Sequence, residues 1–152
     1  MKKIAVFPGS FSPFTLGHKS VVDTALPLFE KIIIAIGIND QKKSEFSLEK
    51  RKKWIKSVYI DNPKVEVSSY DGLTVDYCDH IKSKYIIRGL RNSKDFEYEK
   101  QIAITNNKIN NNIETIFILT SNNVTHISST IIRDIIKNGG DASQFLPEQI
   151  KI

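Results

Sequence analysis

The sequence predicts an α/β fold: one domain with a five-stranded parallel sheet and helices on both faces. Three observations carry this. Five apolar runs are too short for helices: "IAVF" (4–7), "IIIAIGI" (32–38), "VEV" (65–67), "YIIRG" (85–89) and "TIFILT" (115–120). They are rich in Ile and Val and bounded by turn residues, so they read as strands. Stretches with helical character separate them, and strand–helix–strand repeated in this way implies parallel strands joined by right-handed crossovers. The runs are almost continuously apolar, as strands buried on both faces are.

The intervening elements follow in order. Residues 17–29 form a helical stretch that Pro27 should kink or end, because proline lacks the N–H and clashes with the preceding turn. Residues 47–60 form the next, with Ser47 as N-cap and Glu49 in the first turn. Helices over 73–83 and 93–109 come next, and the Asn-rich "TNNKINNN" (105–112) reads as a helix end running into a turn. The last helix spans about 129–138, with Ile131, Ile132, Ile135 and Ile136 on one face and Gly139 as its stop.

The composition is that of a globular chain: 152 residues, 40% hydrophobic and 26% charged. No apolar run approaches the ~18 residues that span a bilayer. Two lysines and a few apolar residues before Pro8 do not make a secretory signal. The single cysteine, Cys78, can form no internal disulfide and reads as a structural residue. These features suit the cytoplasm. The net charge of +5 is concentrated: residues 41–56 hold seven basic and two acidic residues. Such a block either meets a polyanion or forms a solvated helix face.

In open α/β sheets ligands bind beyond the carboxyl ends of the strands. The segments "PGSFSPFTLGH", "NDQKKS", "SSYDGLT", "RGLR" and "SNNVTHISST" each follow a strand, so the polar, glycine-bearing and basic residues share one edge. Gly17-His18 and "HISST" should each open a helix whose unpaired N–H groups favour an anion. Lys42, Arg88 and Arg91 add positive charge. Two helix N-termini, three cations and a histidine describe a polyphosphate site. Neither GxxxxGK[ST] nor GxGxxG occurs, which excludes a P-loop ATPase and a standard dinucleotide binder.

"GSFSPFTLGH" is similar to the "GTFDPxTxGH" signature of the nucleotidyltransferases with the (T/H)xGH motif. With "KK" (42–43), "RGLR" (88–91), "FEYE" (96–99), "ISST" (127–130) and "FLPE" (145–148), almost the whole chain resembles the bacterial phosphopantetheine adenylyltransferases. The resemblance implies a Rossmann-like domain, and transfer of the adenylyl group of ATP to 4′-phosphopantetheine, giving dephospho-coenzyme A and pyrophosphate. It also implies Mg²⁺, a homohexamer and feedback inhibition by coenzyme A. No nucleic-acid or membrane partner is expected, and the metal ligands are left open.

By the same resemblance, His18 donates to the α-phosphate in the transition state, Lys42 meets the attacking phosphate and Arg91 meets the ATP phosphates. These three are the expected catalytic residues. Arg88 should contact the pantetheine phosphate, and Leu73 and Thr74 the pantetheine arm. Ser10 should touch both substrates, and Glu99 should lie on the ribose or adenine side. Phe11, Gly89, Leu90, Val124, Thr125, His126 and Ile127 complete the expected ATP site, with Ser128, Ser129 and Thr130 as the second phosphate-binding helix start. Two departures stand out. Ser12 replaces the aspartate of the signature, and the C-terminal helix common in the family is expected to be cut short after "FLPE". Three other readings remain open from the residues alone. They are a nucleotidyltransferase for nicotinate mononucleotide or a cytidine nucleotide, a nucleic-acid binder using "KRKKWIK" (50–56), and a catalytically silent nucleotide sensor.

Overall fold

A computed structural model describes residues 2–152. Its sheet has five parallel strands: β1 (Ile4–Gly9), β2 (Lys31–Gly37), β3 (Val65–Tyr70), β4 (Tyr85–Leu90) and β5 (Glu114–Leu119). The spatial order is β3-β2-β1-β4-β5. The chain builds outward from β1 in one direction, then returns to the other side of β1. The crevice at that reversal, between the carboxyl ends of β1 and β4, is where such sheets bind ligands.

Four helices connect the strands, α1 (Leu16–Ala25), α2 (Leu48–Val58), α3 (Thr74–His80) and α4 (Ser93–Ile109), and α5 (Ser129–Lys137) follows β5. Side chains alternate across the sheet with period two. Ala5, Phe7, Ile32, Ile34, Ile36 and Ile87 pack on one face with Val21 and Val22 of α1, Trp54 and Ile55 of α2 and Ile132 of α5. Val6, Ile33, Ala35 and Ile86 pack on the other with Val75 and Cys78 of α3. Helices therefore cover both faces. No helix among the described residues is long and apolar enough to cross a membrane.

The expected elements are all present, with shifts that have local causes. The first helix ends at Ala25, and Pro27 sits in a 3-10 turn over Leu26–Leu28. The third helix stops at His80, and Lys82 takes a left-handed φ of 59° just beyond it. The third strand runs on to Tyr70 because its ladder with β2 continues to Gly37. Burial on both faces holds for β1 and β2 but not for the edge strands: β3 reads "VEVSSY" and none of it is fully buried. Ser47 caps α2 as expected, accepting from the Lys50 N–H at 3.2 Å. Ile132 is buried under α5, but Ile131 points to solvent, so the isoleucine face is narrower than the sequence pattern suggests. Gly139, at φ 78°, closes that helix, as a residue without a Cβ allows.

Close approach fixes one more glycine. A Cβ on Gly89 of β4 would lie 2.6 Å from Cγ2 of Val21 on α1. Val21 is buried and stiff, so one side or the other must move. Gly89→Ala is expected to destabilise the protein by about 1–3 kcal/mol through overpacking. Thermal or urea unfolding of the variant against the wild type measures this.

Candidate active site

The peptide after β1 turns abruptly. Phe11 has a left-handed φ of 47°, and the Ser12–Pro13 bond is cis. A non-glycine residue in that region is strained unless its surroundings enforce it. Here they do. Arg88 Nη1 donates to the Pro8 carbonyl at 2.7 Å, Arg51 Nη1 to the Ser10 carbonyl at 2.7 Å, and Arg133 Nη1 to the Ser12 carbonyl at 2.7 Å. Ser129 Oγ donates to the Pro13 carbonyl at 2.8 Å. Four carbonyls within six residues are held by side chains from β4, α2 and α5.

The loop ends on Thr15, the N-cap of α1. Thr15 Oγ1 accepts from the His18 N–H at 3.3 Å, and the Thr15 N–H donates to His18 Nδ1 at 3.0 Å. This is a capping box with histidine in the place of glutamate. Because Nδ1 accepts, the neutral ring carries its proton on Nε2. Aromatic rings enclose the imidazole: Phe14 stacks on it at 5.4 Å, and Phe11 and Phe7 meet it edge-on at 5.0 and 6.2 Å. Burial, then the charges of Arg88 and Arg91, lower the imidazole pKa to about 3. The sequence left its protonation open; the structure makes His18 a neutral donor.

A cleft of about 440 Å³ lies against this loop and runs between α1, β4 and the start of α5. It gathers Ser10, Phe11, His18, Arg88, Gly89, Arg91, Glu99, Ile127, Ser128, Ser129 and Thr130 from the expected set, together with Asp95. Each arginine is paired. Arg88 donates from Nε and Nη2 to both Glu99 oxygens at 2.8 and 2.7 Å. Arg91 donates from Nε and Nη2 to Asp95 at 3.0 and 3.2 Å. Burial raises the Asp95 carboxyl, but hydrogen bonds from the Arg91 side chain and N–H outweigh it and hold the group below the ordinary carboxylate range. Glu99 and Asp95 stand one turn apart on α4, so that helix carries the counter-charges of the cleft.

Glu99, expected beside a ribose or adenine, thus gives both oxygens to Arg88. The hydroxyls at the start of α5 are engaged as well: Ser128 caps the helix by accepting from the Ile131 N–H, Ser129 holds Pro13, and Thr130 accepts from Arg133. Other expected residues lie apart from the cleft lining. Leu90 is buried in the sheet, Leu73 is exposed at the start of α3, and Thr125 bonds back to Asn122. Val124 closes the 3-10 turn before α5, and the His126 ring packs against Phe145 at 6.2 Å.

Two smaller cavities adjoin the cleft. One of about 330 Å³ shares Ser10 with it and holds Lys42, Lys43, Arg51 and Arg133. The other, about 210 Å³, shares Pro8, Gly9, Arg88 and Glu99 with it and reaches Tyr70, Thr74, Ile102 and Asn106. The basic block divides. Arg51 turns inward to the loop carbonyls and is buried, while Lys50 lies over the rings of Phe46 and Trp54 at 5.7 and 5.1 Å.

Sequence reasoning missed Phe7, Phe14, Thr15, Arg51, Asp95 and Arg133. Threonine three residues before His18 was a capping signal, and Asp95 stands four residues after Arg91, in the first turn of the helix that Asn92 caps. Nothing distinguishes Arg51 within its run of lysines.

The sequence model of the cytidylyltransferase-like family matches residues 6–135. Among curated proteins, the chain is similar to "Phosphopantetheine adenylyltransferase" of Flavobacterium psychrophilum, 53% identical over 97% of each chain. The protein of the same name from Christiangramia forsetii is 50% identical over 99% of each chain. That from Leptospira biflexa is 44% identical over 99% of this chain and 94% of its own. Among solved structures, the bifunctional NMN adenylyltransferase/ADP ribose pyrophosphatase from Francisella tularensis superposes with a TM-score of 0.71 at 22% identity. That match covers 96% of this chain and 45% of the other, and shows a shared fold.

The neutral state of His18 has a consequence for stability. Unfolded, the imidazole binds a proton below about pH 6.5; folded, it does so only near pH 3. Between these values the unfolded chain holds more protons, so stability falls as pH falls. From pH 7 to 5 the wild type should lose about 2 kcal/mol more than His18→Gln. Urea titrations of both proteins at the two pH values measure the difference.

Proposed function

The chain belongs to the phosphopantetheine adenylyltransferases of the cytidylyltransferase-like family, and on that premise we propose how its residues carry the reaction. It transfers the adenylyl group of ATP to 4′-phosphopantetheine in coenzyme A biosynthesis. The observation that carries the residue assignment is the environment of His18: a neutral imidazole, fixed in its tautomer and enclosed by aromatic rings, at the mouth of α1.

The attacking group is already a phosphate, so the protein has little proton transfer to do. Its work is to hold two anions in line and to stabilise the charge that develops at the α-phosphorus. His18 donates from Nε2 to an α-phosphate oxygen. Being neutral, it adds no charge to the ground state, and being packed, it needs no reorganisation as charge develops. The N-termini of α1 and α5 supply partial positive charge. Arg91 binds the ATP phosphates, and its planar fork suits them. Arg88 and Lys42 bind the phosphate of the acceptor, and the cavity lined by Thr74 receives the pantetheine arm. The carboxylates of Asp95 and Glu99 hold the two arginines in place until substrate arrives.

Magnesium enters in this reading as part of the nucleotide substrate. Among the described residues there is no group of three or more His, Cys, Asp or Glu side chains able to hold an ion, and the two carboxylates of the cleft face arginines. Mg²⁺ commonly binds through substrate phosphates and few protein ligands. The use of ATP as substrate supports a cytoplasmic location. Coenzyme A shares the pantetheine arm and an adenine nucleotide with the product, which supports its acting as an inhibitor at the same cleft. An exposed apolar face of α4 supports association of subunits: Tyr98, Ile102 and Ile109 fall on one side of the helix and are exposed, and Glu99 is the one buried residue of the helix. Light scattering is expected to give six times the monomer mass.

Pyrophosphate release from ATP and Mg²⁺, with and without 4′-phosphopantetheine, tests the assignment. Release should require the acceptor, and His18→Ala should lower turnover by roughly two or more orders of magnitude with a smaller effect on ATP binding. Near-normal turnover of His18→Ala would take His18 out of the mechanism.

A further inference from the structure

Lys42 lies in the segment between β2 and α2, residues 38–47, and is exposed together with Gln41 and Lys43. The ends of this segment are tied down. The Ile38 N–H donates to the Tyr70 carbonyl at 2.8 Å, and Arg51 Nε donates to the Phe46 carbonyl at 3.0 Å. In the middle, the N–H groups of Gln41 and Lys42 donate only to Asn39, which shapes the turn without fastening it to the rest of the protein. Among the described residues, one hydrogen bond joins the middle of the segment to the loop after β1: Ser44 Oγ and Ser12 Oγ, 2.8 Å apart and 32 residues distant in sequence.

The Ser12 end of this bond is rigid. Ser12 is buried, its carbonyl is held by Arg133, and the next carbonyl is held by Ser129. The Ser44 end is two residues from Lys42, and both serines line the 330 Å³ cavity that Lys42 and Lys43 also line. In that cavity Arg51 and Arg133 are engaged with loop carbonyls, so the lysines are the cations left to meet a ligand. A lysine on an unfastened segment loses more freedom on binding a phosphate than one whose backbone is already placed. Whichever oxygen donates, the pair also leaves one hydroxyl hydrogen over beside Lys42.

We propose that Ser44, through its hydroxyl pair with Ser12, is a positioning residue for Lys42 and hence for the phosphate monoester of the acceptor. This rests on the assignment of Lys42 made above. Ser12 stands where the family signature carries an aspartate. In this chain a pair of neutral hydroxyls bridges the two loops at that point, and no carboxylate is added beside the cations.

The test is steady-state kinetics of Ser44→Ala, Ser12→Ala, the double variant, Ser44→Thr and Lys42→Ala, with ATP and 4′-phosphopantetheine each varied. Each serine-to-alanine change should raise KM for 4′-phosphopantetheine about three- to tenfold, the scale of one neutral hydrogen bond. KM for ATP should move less than about twofold, a split that general loosening of the fold would not produce. The double variant should lose no more than the worse single variant, since the two hydroxyls act as one unit, and Ser44→Thr should recover acceptor affinity. Wild-type acceptor KM in Ser44→Ala, while Lys42→Ala still impairs acceptor use, would overturn the proposal alone. So would a double variant whose loss is the product of the singles. Wild-type acceptor KM in Lys42→Ala would remove the underlying assignment and the proposal with it. If Ser12→Ala does not fold, Ser44→Ala and Ser44→Thr decide the matter.

Discussion

Three arginines and a serine grip the carbonyls of the loop after β1, and the rest of the site depends on that grip. Pro8, Ser10, Ser12 and Pro13 each accept from a side chain of another element. Bonds from a guanidinium to a carbonyl are stronger than neutral ones, and a carbonyl left without its partner in a partly buried place bears the full desolvation cost. The loop can therefore hold Phe11 in a left-handed conformation. That conformation brings the Phe11 ring against both Gly9 and His18. Loop, aromatic box and imidazole form one packed unit, closed on the helix side by the capping box of Thr15.

The electrostatics of the cleft follow from the same economy of charge. Arg88 and Arg91 are each matched by a carboxylate of α4, and His18 is neutral. An empty site built from free cations would repel itself and tie up counter-ions. Paired arginines and a neutral, packed imidazole give a site that is preorganised and nearly uncharged before the substrates bring their phosphates. The unmatched lysines lie in the neighbouring cavity beyond Ser10, on a segment held by a hydroxyl pair. Charge is thus graded from a fixed, neutralised centre to an exposed, adaptable flank, which suits a reaction whose demand is the alignment of two anions.

Some of this was readable from the chain. Short Ile- and Val-rich runs could only be strands, and their near-continuous apolarity could only be satisfied between two helical layers; β1 and β2 behave in that way. The edge strands do not: Glu66 of β3 and Leu119 of β5 are exposed. The gathering of His18, Arg88, Arg91 and the "ISST" helix start at one edge also followed from their each coming after a strand. Lys42 came to the same edge but into an adjoining cavity, and Glu99 arrived as the partner of Arg88, a pairing that needs the distance between β4 and α4 to be known.

What the sequence determined by itself is whatever depends on neighbours a few residues away: the periodicity of the elements, the caps at Ser47 and Ser128, the stop at Gly139, and the motif residues that identify the chemistry. Only the tertiary structure decided the protonation of His18, the direction of Arg51 and the bridge from Ser12 to Ser44. Each depends on groups far apart in the chain that meet through packing. Thr15 hinted at the tautomer, but the low pKa comes first from burial and then from Arg88 and Arg91, which lie 70 or more positions away. Arg51 sits in a run of lysines that reads as a solvated face, and it turns inward because the Ser10 carbonyl, 41 residues earlier, needs a donor. Local sequence sets which conformations are available; the fold sets which polar groups lose their water, and those groups then choose their partners.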